Sequence, residues 1–172
     1  WCRIETPLGT VRISARGDAI AGLWFDGQKY DAVADDAWRE SPGDPMLRDA
    51  VRQLREYFKG RRERFDLPLA PEGTTFQRGV WRAIAKVPAG RTASYGDLAR
   101  RIGRPSSVRA VGAAVGRNPL SVVVPCHRIV GSDGSLTGYA GGLARKRALL
   151  ALERVEIDPA RDAIAARRAG AP

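Results

Sequence analysis

The sole histidine of this chain, His127, directly follows Cys126, one of only two cysteines. The pair sits in Ser121-Val-Val-Val-Pro-Cys-His-Arg-Ile-Val130, at the end of a β-branched run. A thiol beside an imidazole suggests a nucleophile beside its base. The thiolate is the reactive form, and a free cysteine titrates near about pH 8.5, so at neutral pH it needs help. Side chains of neighbouring residues on an extended segment point to opposite sides. A direct Cys126–His127 hydrogen bond is therefore not assured; a bridging water, or a turn just after Pro125, would bring the two together. A third group should orient the base, and Glu153 on the last helix is a candidate. A cysteine after an apolar run is also commonly a small buried hydrophobe, so the pair alone does not decide its own role.

The rest of the composition narrows the setting. The chain has 172 residues, 44% hydrophobic and 28% charged, enough for a real core in one or two small domains. No apolar stretch is long enough to span a bilayer, and no signal-peptide pattern precedes the first strand. The chain starts at Trp1 rather than Met, so a trimmed native start is expected. Two cysteines and one histidine make neither a disulfide framework nor a zinc site. No metal and no cofactor are expected, and the reducing cytoplasm is the expected compartment. Lys plus Arg is 29 against 19 for Asp plus Glu, a net charge of +10. That suits a polyanionic partner such as nucleic acid, or simply a basic surface.

The elements that must position the pair follow from periodicity. Val11 to Ser14 and Ile20 to Phe25 read as strands separated by Gly17-Asp18. Asp44 can cap a helix with Pro45 at its first position, Leu47, Val51, Leu54 and Phe58 on its apolar face and Gly60 at its stop. Phe65 to Leu69 reads as another short strand, and Pro68, Pro71 and Gly73 as a linker. Thr74 with Gln77 resembles a capping box, followed by Phe76, Val80, Ile84 and Val87 on one face. Ser94 to Ile102 forms a short helix, Gly103-Arg-Pro105 a turn, and Ser106 or Ser107 caps a second helix ending near Gly116. A strand carrying Cys126 follows. The Gly138-Tyr-Ala-Gly-Gly142 loop then leads into a last helix from Leu143 to about Val155. The final Ala/Arg-rich stretch has weak patterning and is expected to fray.

The fold class is thus α/β of the α+β type. A small N-terminal antiparallel sheet with a helix precedes a mostly helical C-terminal domain containing a winged-helix or helix-turn-helix unit. Expected boundaries are 1–72, 73–157 and a tail over 158–172. Two short helices joined by a Gly-containing turn fit a helix-turn-helix. The second is rich in small residues, Ala110, Gly112, Ala113, Ala114 and Gly116, and two glycines weaken a helix. Close approach of its backbone to another surface, either the protein's own core or a nucleic-acid groove, would account for them.

Pro125-Cys-His-Arg128 resembles the active-site signature of the O6-alkylguanine-DNA alkyltransferases. Phe76-Gln77 with Val80-Trp81, Ser94-Tyr95, Arg109-Ala-Val-Gly112, Asn118-Pro119, and Gly138-Tyr139 with Gly141-Gly-Leu143 look like that family in the same order. The resemblance covers about residues 74 to 155. The first 70 residues resemble the family's N-terminal, ribonuclease H-like domain in outline.

What the resemblance implies is direct reversal of DNA damage. Duplex DNA carrying O6-alkylguanine would be the partner, bound through the minor groove by a monomer, with cooperative assembly left open. Ser94, Arg109, Ala110, Gly112 and Ala113 would face the DNA, with Arg109 filling the place of the flipped base. Unstacking costs a few kcal/mol, less for a poorly paired base. Cys126 would attack the alkyl carbon in one in-line displacement, with His127 deprotonating the thiol through a water and Glu153 orienting His127. Tyr95 would donate to guanine N3, making guanine a better leaving group. Asn118 would support the turn around the site. Ile129, Tyr139 and Ala140 would line the base pocket, with the carbonyls of Cys126 and Ile129 holding the base. O4-alkylthymine would be a second substrate. The thioether is stable, so each molecule would react once.

Two departures from the family pattern bear on this. Ala140 stands where many relatives carry a serine, so affinity for the lesion is expected to differ. Cys2 lacks partners for the structural zinc that some relatives bind. Three other readings compete: a non-enzymatic lesion binder, which would lack Cys126; a cysteine hydrolase, which leaves the basic charge unexplained; and a helix-turn-helix regulator, in which Cys126 is structural.

Overall fold

The computed structural model describes residues 1–31 and 38–165. Three antiparallel strands, β1 (Cys2–Ile4), β2 (Val11–Arg16) and β3 (Ala19–Phe25), form a sheet in that order. Helix α1 (Pro45–Phe58) packs on β2 and β3. The Asp44 carboxylate accepts from the Leu47 N–H at 3.0 Å, and Pro45 fills the first helical turn, as the sequence suggests. The buried face of α1 is rotated from the expected one. It runs through Leu47, Ala50, Gln53, Leu54 and Tyr57, while Val51 and Phe58 are half-buried. Gln53 is drawn inside because its amide forms a paired hydrogen bond with the Asp66 backbone, at 2.8 Å in both directions.

The remaining elements are α2 (Thr75–Ala85), β4 (Ala93–Ser94), α3 (Tyr95–Arg101), α4 (Val108–Gly116), β5 (Ile129–Val130), α5 (Leu143–Leu152), β6 (Ile157–Asp158) and β7 (Ala163–Ile164). The Thr74–Gln77 capping box forms, and a second one, Ser94–Asp97, starts α3. Helices α3 and α4 make the helix-turn-helix and both pack on α2. The Trp81 indole N–H donates to the Ala114 carbonyl at 2.9 Å, anchoring the inner face of α4. Ser107 occupies the cap position of α4 but makes no side-chain cap bond.

Four further expectations are corrected. Phe65–Leu69 is not a strand: only Leu69 bridges to the sheet, at Ile20, because Pro68 and Pro71 remove the N–H groups a ladder needs. The Cys126 segment is not a strand either. Leu120 makes a single parallel bridge to Leu23, after which the chain coils through a left-handed Val122 (φ 71°) into a 3-10 turn over Cys126–Arg128. The Asn118 side chain forces that coil: it accepts from the Leu120 N–H at 3.1 Å and donates to the Val124 carbonyl at 2.8 Å. Finally, chain beyond residue 157 does not simply fray. β6 and β7 pair antiparallel, and Ile157 and Ile164 pack on Val130, Leu136 and Leu150. The last seven residues of the expected tail lie outside the described residues. Helix α5 also ends at Leu152, three residues short of Val155, leaving Glu153 as its cap.

One continuous core joins both halves. Val11, Ile13, Phe25 and Leu54 from the first half pack in the same cluster as Leu98, Val111, Ile129 and Leu149 from the second. Cys2 lies buried in that cluster as a small hydrophobe.

Candidate active site

The 3-10 turn sets the geometry of the centre. Cys126 is 4% exposed, and its sulfur accepts from the Asn118 amide at 3.1 Å. Burial pushes the Cys126 thiol up, opposed by that hydrogen bond and by the charge of Lys146. The resting sulfur is therefore a thiol that needs a base.

His127 is fully buried, and its Nε2 lies 2.9 Å from Glu153 Oε1. Burial raises the proton affinity of the Glu153 carboxyl, yet hydrogen bonds from His127 and Arg128 outweigh it and hold the group down at about 2. Glu153 is thus an acceptor only, so Nε2 must carry the proton. Burial also lowers the His127 pKa, keeping the ring neutral. The basic lone pair is then on Nδ1, a buried atom with no hydrogen-bond partner among the described residues. That orientation suits a base turned toward the interior.

Arg128 completes the Glu153 anchor. Its Nε and Nη2 donate to the two carboxylate oxygens, both at 2.8 Å, and its Nη1 donates to the Val87 carbonyl at 2.5 Å. A bidentate pair of this kind fixes orientation as well as charge.

The walls come from α3 and the glycine loop. Tyr95 opens α3; burial raises its pKa, and the phenol faces Thr137 within electrostatic reach of Cys126. Tyr139 is half-buried, with its hydroxyl enclosed and unpartnered among the described residues. A side chain on Gly141 would lie 2.7 Å from the Tyr139 ring, so only glycine lets the loop fold over it. Ala140 is held by its carbonyl, which accepts from the Lys29 N–H at 2.9 Å. Ile129 is fully buried beneath the centre.

The outer face of α4 is separate from this pocket. Arg109, Ala110 and Ala113 are exposed, and Gly112 is half-buried against the Tyr95 ring. The Ser94 hydroxyl is engaged in the α3 cap with Asp97, at 2.7 and 3.0 Å.

The description 6-O-methylguanine DNA methyltransferase, DNA binding domain, matches residues 75–155, and the ribonuclease-like domain of the same description matches residues 2–71. The chain belongs to the 6-O-methylguanine DNA methyltransferase family. The methylated-DNA–protein-cysteine methyltransferase of Methanosarcina barkeri is 46% identical over 151 residues, covering 87% of this chain and 94% of that protein. The Mycobacterium tuberculosis protein of the same name is 44% identical, covering 88% and 90%. The M. tuberculosis OGT structure in complex with DNA superposes with a TM-score of 0.83 at 42% identity, covering 89% of this chain and 91% of that one. This is an enzyme family of DNA repair by alkyl transfer to cysteine. Membership gives the pocket around Cys126 its chemical context.

Two residues that sequence reasoning passed over belong to this alkyltransferase centre. Lys146 is fully buried, and its ammonium donates to the Ile129 and Thr137 carbonyls at 2.5 and 2.7 Å, with burial pulling its pKa to about 8. It ties β5 to the loop before Tyr139, and its charge opposes the burial penalty on the Cys126 thiolate. Tyr57 on α1 donates to Glu153 Oε1 at 2.6 Å. The only signal for Lys146 was a lysine on an otherwise buried helical face; for Tyr57 there was none.

Proposed function

We propose that the protein reverses DNA alkylation directly, moving an alkyl group from O6 of guanine, or O4 of thymine, in duplex DNA to Cys126. The observation that carries the reading is the directional buried chain from Glu153 through His127 Nε2–H to an unpartnered Nδ1, beside a thiol held by Asn118.

A water relays the Cys126 proton to His127 Nδ1, and Glu153 stabilises the imidazolium. The thiolate attacks the alkyl carbon, a C–S bond forms as the C–O6 bond breaks, and the electron pair leaves with guanine. Tyr95 donates to guanine N3 and so offsets the charge that develops on the leaving base. Asn118 keeps the turn and the sulfur in place. Ile129, Tyr139 and Ala140 line the pocket for a base flipped out of the minor groove. The outer face of α4, with Arg109, Ala110, Gly112 and Ala113, lies against the groove, and Ser94 at the α3 cap lies beside it. Small side chains permit that approach, and Arg109 takes the vacated stacking position. The protein acts as a monomer in the cytoplasm, each copy once, because a thioether is not hydrolysed. We assign residues 1–72 to an N-terminal domain and 73–157 to the alkyltransferase domain.

The test is transfer itself. Duplex DNA carrying radiolabelled O6-methylguanine is expected to leave label on the peptide containing Cys126, saturating at one methyl per protein. Cys126→Ala is expected to abolish transfer and leave DNA binding nearly intact. Absence of label, or label lost with turnover, would sink the reading.

A further inference from the structure

Glu153 Oε1 has three donors: the Tyr57 hydroxyl at 2.6 Å, Arg128 Nη2 at 2.8 Å and His127 Nε2 at 2.9 Å. His127 and Arg128 lie within the same turn. Tyr57 comes from α1, 96 positions before Glu153, and is 2% exposed. Its ring packs against those of Phe58 and Phe65, with centroids 5.4 Å away in each pair. The hydroxyl is therefore aimed by packing in the N-terminal half at a carboxylate of the C-terminal half.

We propose that Tyr57 is a positioning residue of the proton relay, its hydroxyl fixing Glu153 and setting how strongly that carboxylate draws a proton onto His127. The proposal rests on the reading of His127 as the base. A buried carboxylate shares its charge among its donors. With three on one oxygen, the pull on the His127 N–H is shared with Tyr57 and Arg128. Removing the hydroxyl alone leaves more negative charge for the imidazole to face, which favours imidazolium. Burial and the neighbouring carboxylate push the Tyr57 pKa well above its ordinary value, so it remains a donor throughout the working range.

The other groups around the pair do not offer the same control. Arg128 and the Lys146 ammonium on α5 both disfavour a charged His127. Cys126 and Tyr139 face the centre from the turn and the glycine loop. A cavity of about 150 Å³ lined by Tyr57 and Glu153 is also bordered by Arg62, Glu63 and Arg154. Of these, Tyr57 is the neutral group that bonds the carboxylate directly, so its loss changes no net charge.

The experiment uses the sole histidine, whose imidazole signals in an NMR titration need no assignment. Tyr57→Phe keeps the ring and removes the hydroxyl. It is expected to raise the His127 proton affinity roughly 3- to 10-fold, an upward move of about half to one pH unit. The acidic limb of the single-turnover rate with free O6-benzylguanine is expected to move upward with it. Phe65→Leu, which keeps the hydroxyl and loosens the packing that aims it, is expected to lower the melting temperature and to move the titration upward by less than Tyr57→Phe does. An unchanged His127 titration in Tyr57→Phe, or an equal shift in Phe65→Leu, would overturn the proposal. A shifted titration with a rate profile unchanged at every pH would uphold the Tyr57 link and overturn His127 as the base. If Tyr57→Phe does not fold, the wild-type protein decides: an exchange-protected Tyr57 hydroxyl proton with a cross-peak to the His127 Nε2 proton is expected, and its absence counts against the link.

Discussion

Around Glu153, four hydrogen bonds converge on one carboxylate from two halves of the chain, and the His127 and Glu153 side chains are buried. On the outer face of α4, by contrast, Arg109, Ala110 and Ala113 stand exposed, and the helix start lacks a side-chain cap. Both regions belong to one core, and α4 is anchored on its inner side by Val111, Ala114 and Val115. The difference lies in where the partner comes from. The relay must hold a fixed charge before any substrate arrives, so its polar groups are matched internally, except at His127 Nδ1. On the proposed reading the outer face of α4 would meet DNA from solution, and Arg109, Ala110 and Ala113 on it are exposed. Damage to the first region should therefore register in the free protein, and damage to the second only with DNA present.

The largest effect should come from the centre. Glu153→Gln leaves Arg128 buried without its counter-charge, a loss of about 3–5 kcal/mol of stability for a broken buried pair. Alkyl transfer, including transfer from free O6-benzylguanine, is expected to fall at least about 100-fold as the base loses its orienter. Thermal melts and single-turnover rates check both; small changes in both would mean that the convergence on Glu153 is incidental. The same region sets the acid response. His127 and Glu153 both have folded pKa values below their ordinary 6.5 and 4.5. Each is a depressed pKa, so its stabilisation is present above the ordinary value and is lost as pH falls. Urea unfolding is expected to show stability declining below pH 6.5, then again between 4.5 and about 2, with Glu153→Gln lacking the second step.

The two regions also differed in how far the sequence disclosed them. Caps and helix faces are local, so Asp44, Thr74–Gln77 and the α3–α4 pair are legible from spacing alone. Cys126 and His127 stand out by scarcity, and the ordered family motifs point to Glu153. The β-branched run misled because Asn118 supplies the hydrogen bonds that a strand partner would have supplied, which lets Val122 take a left-handed turn. Gln53 and Lys146 are buried because their side chains reach backbone carbonyls distant in sequence, which no local pattern reveals. Tyr57 is the extreme case: the spacing of α1 carries no sign of its role, and its partner lies on the other half of the chain.

On α4 the expected pattern reverses. Arg109→Ala removes an exposed side chain, and exposed substitutions usually alter stability by no more than about 0.5 kcal/mol. Its melting temperature and its reaction with free O6-benzylguanine are expected to match the parent. Repair of O6-methylguanine in duplex DNA is expected to slow about tenfold, equivalent to about 1.4 kcal/mol, if the guanidinium fills the space of the extruded base. Equal losses on both substrates would place Arg109 in the relay's region instead.

Gly112 lies where the two regions meet, and its replacement should give the smallest effect, with opposite signs in two assays. Its backbone is ordinary helix, and an added Cβ would sit 3.8 Å from the Tyr95 ring, a normal contact. Gly112→Ala should therefore fit without strain and gain up to about 1 kcal/mol from helix propensity. On the proposed reading the same methyl would thicken the face offered to the groove. Duplex repair is expected to slow about two- to fivefold, a cost below about 1 kcal/mol, while chemical denaturation shows a more stable protein. A variant that is more stable and repairs duplex at the parental rate would show that the small residues of α4 serve packing within the protein. A slower, more stable variant would show that glycine is kept at this position for what binds there.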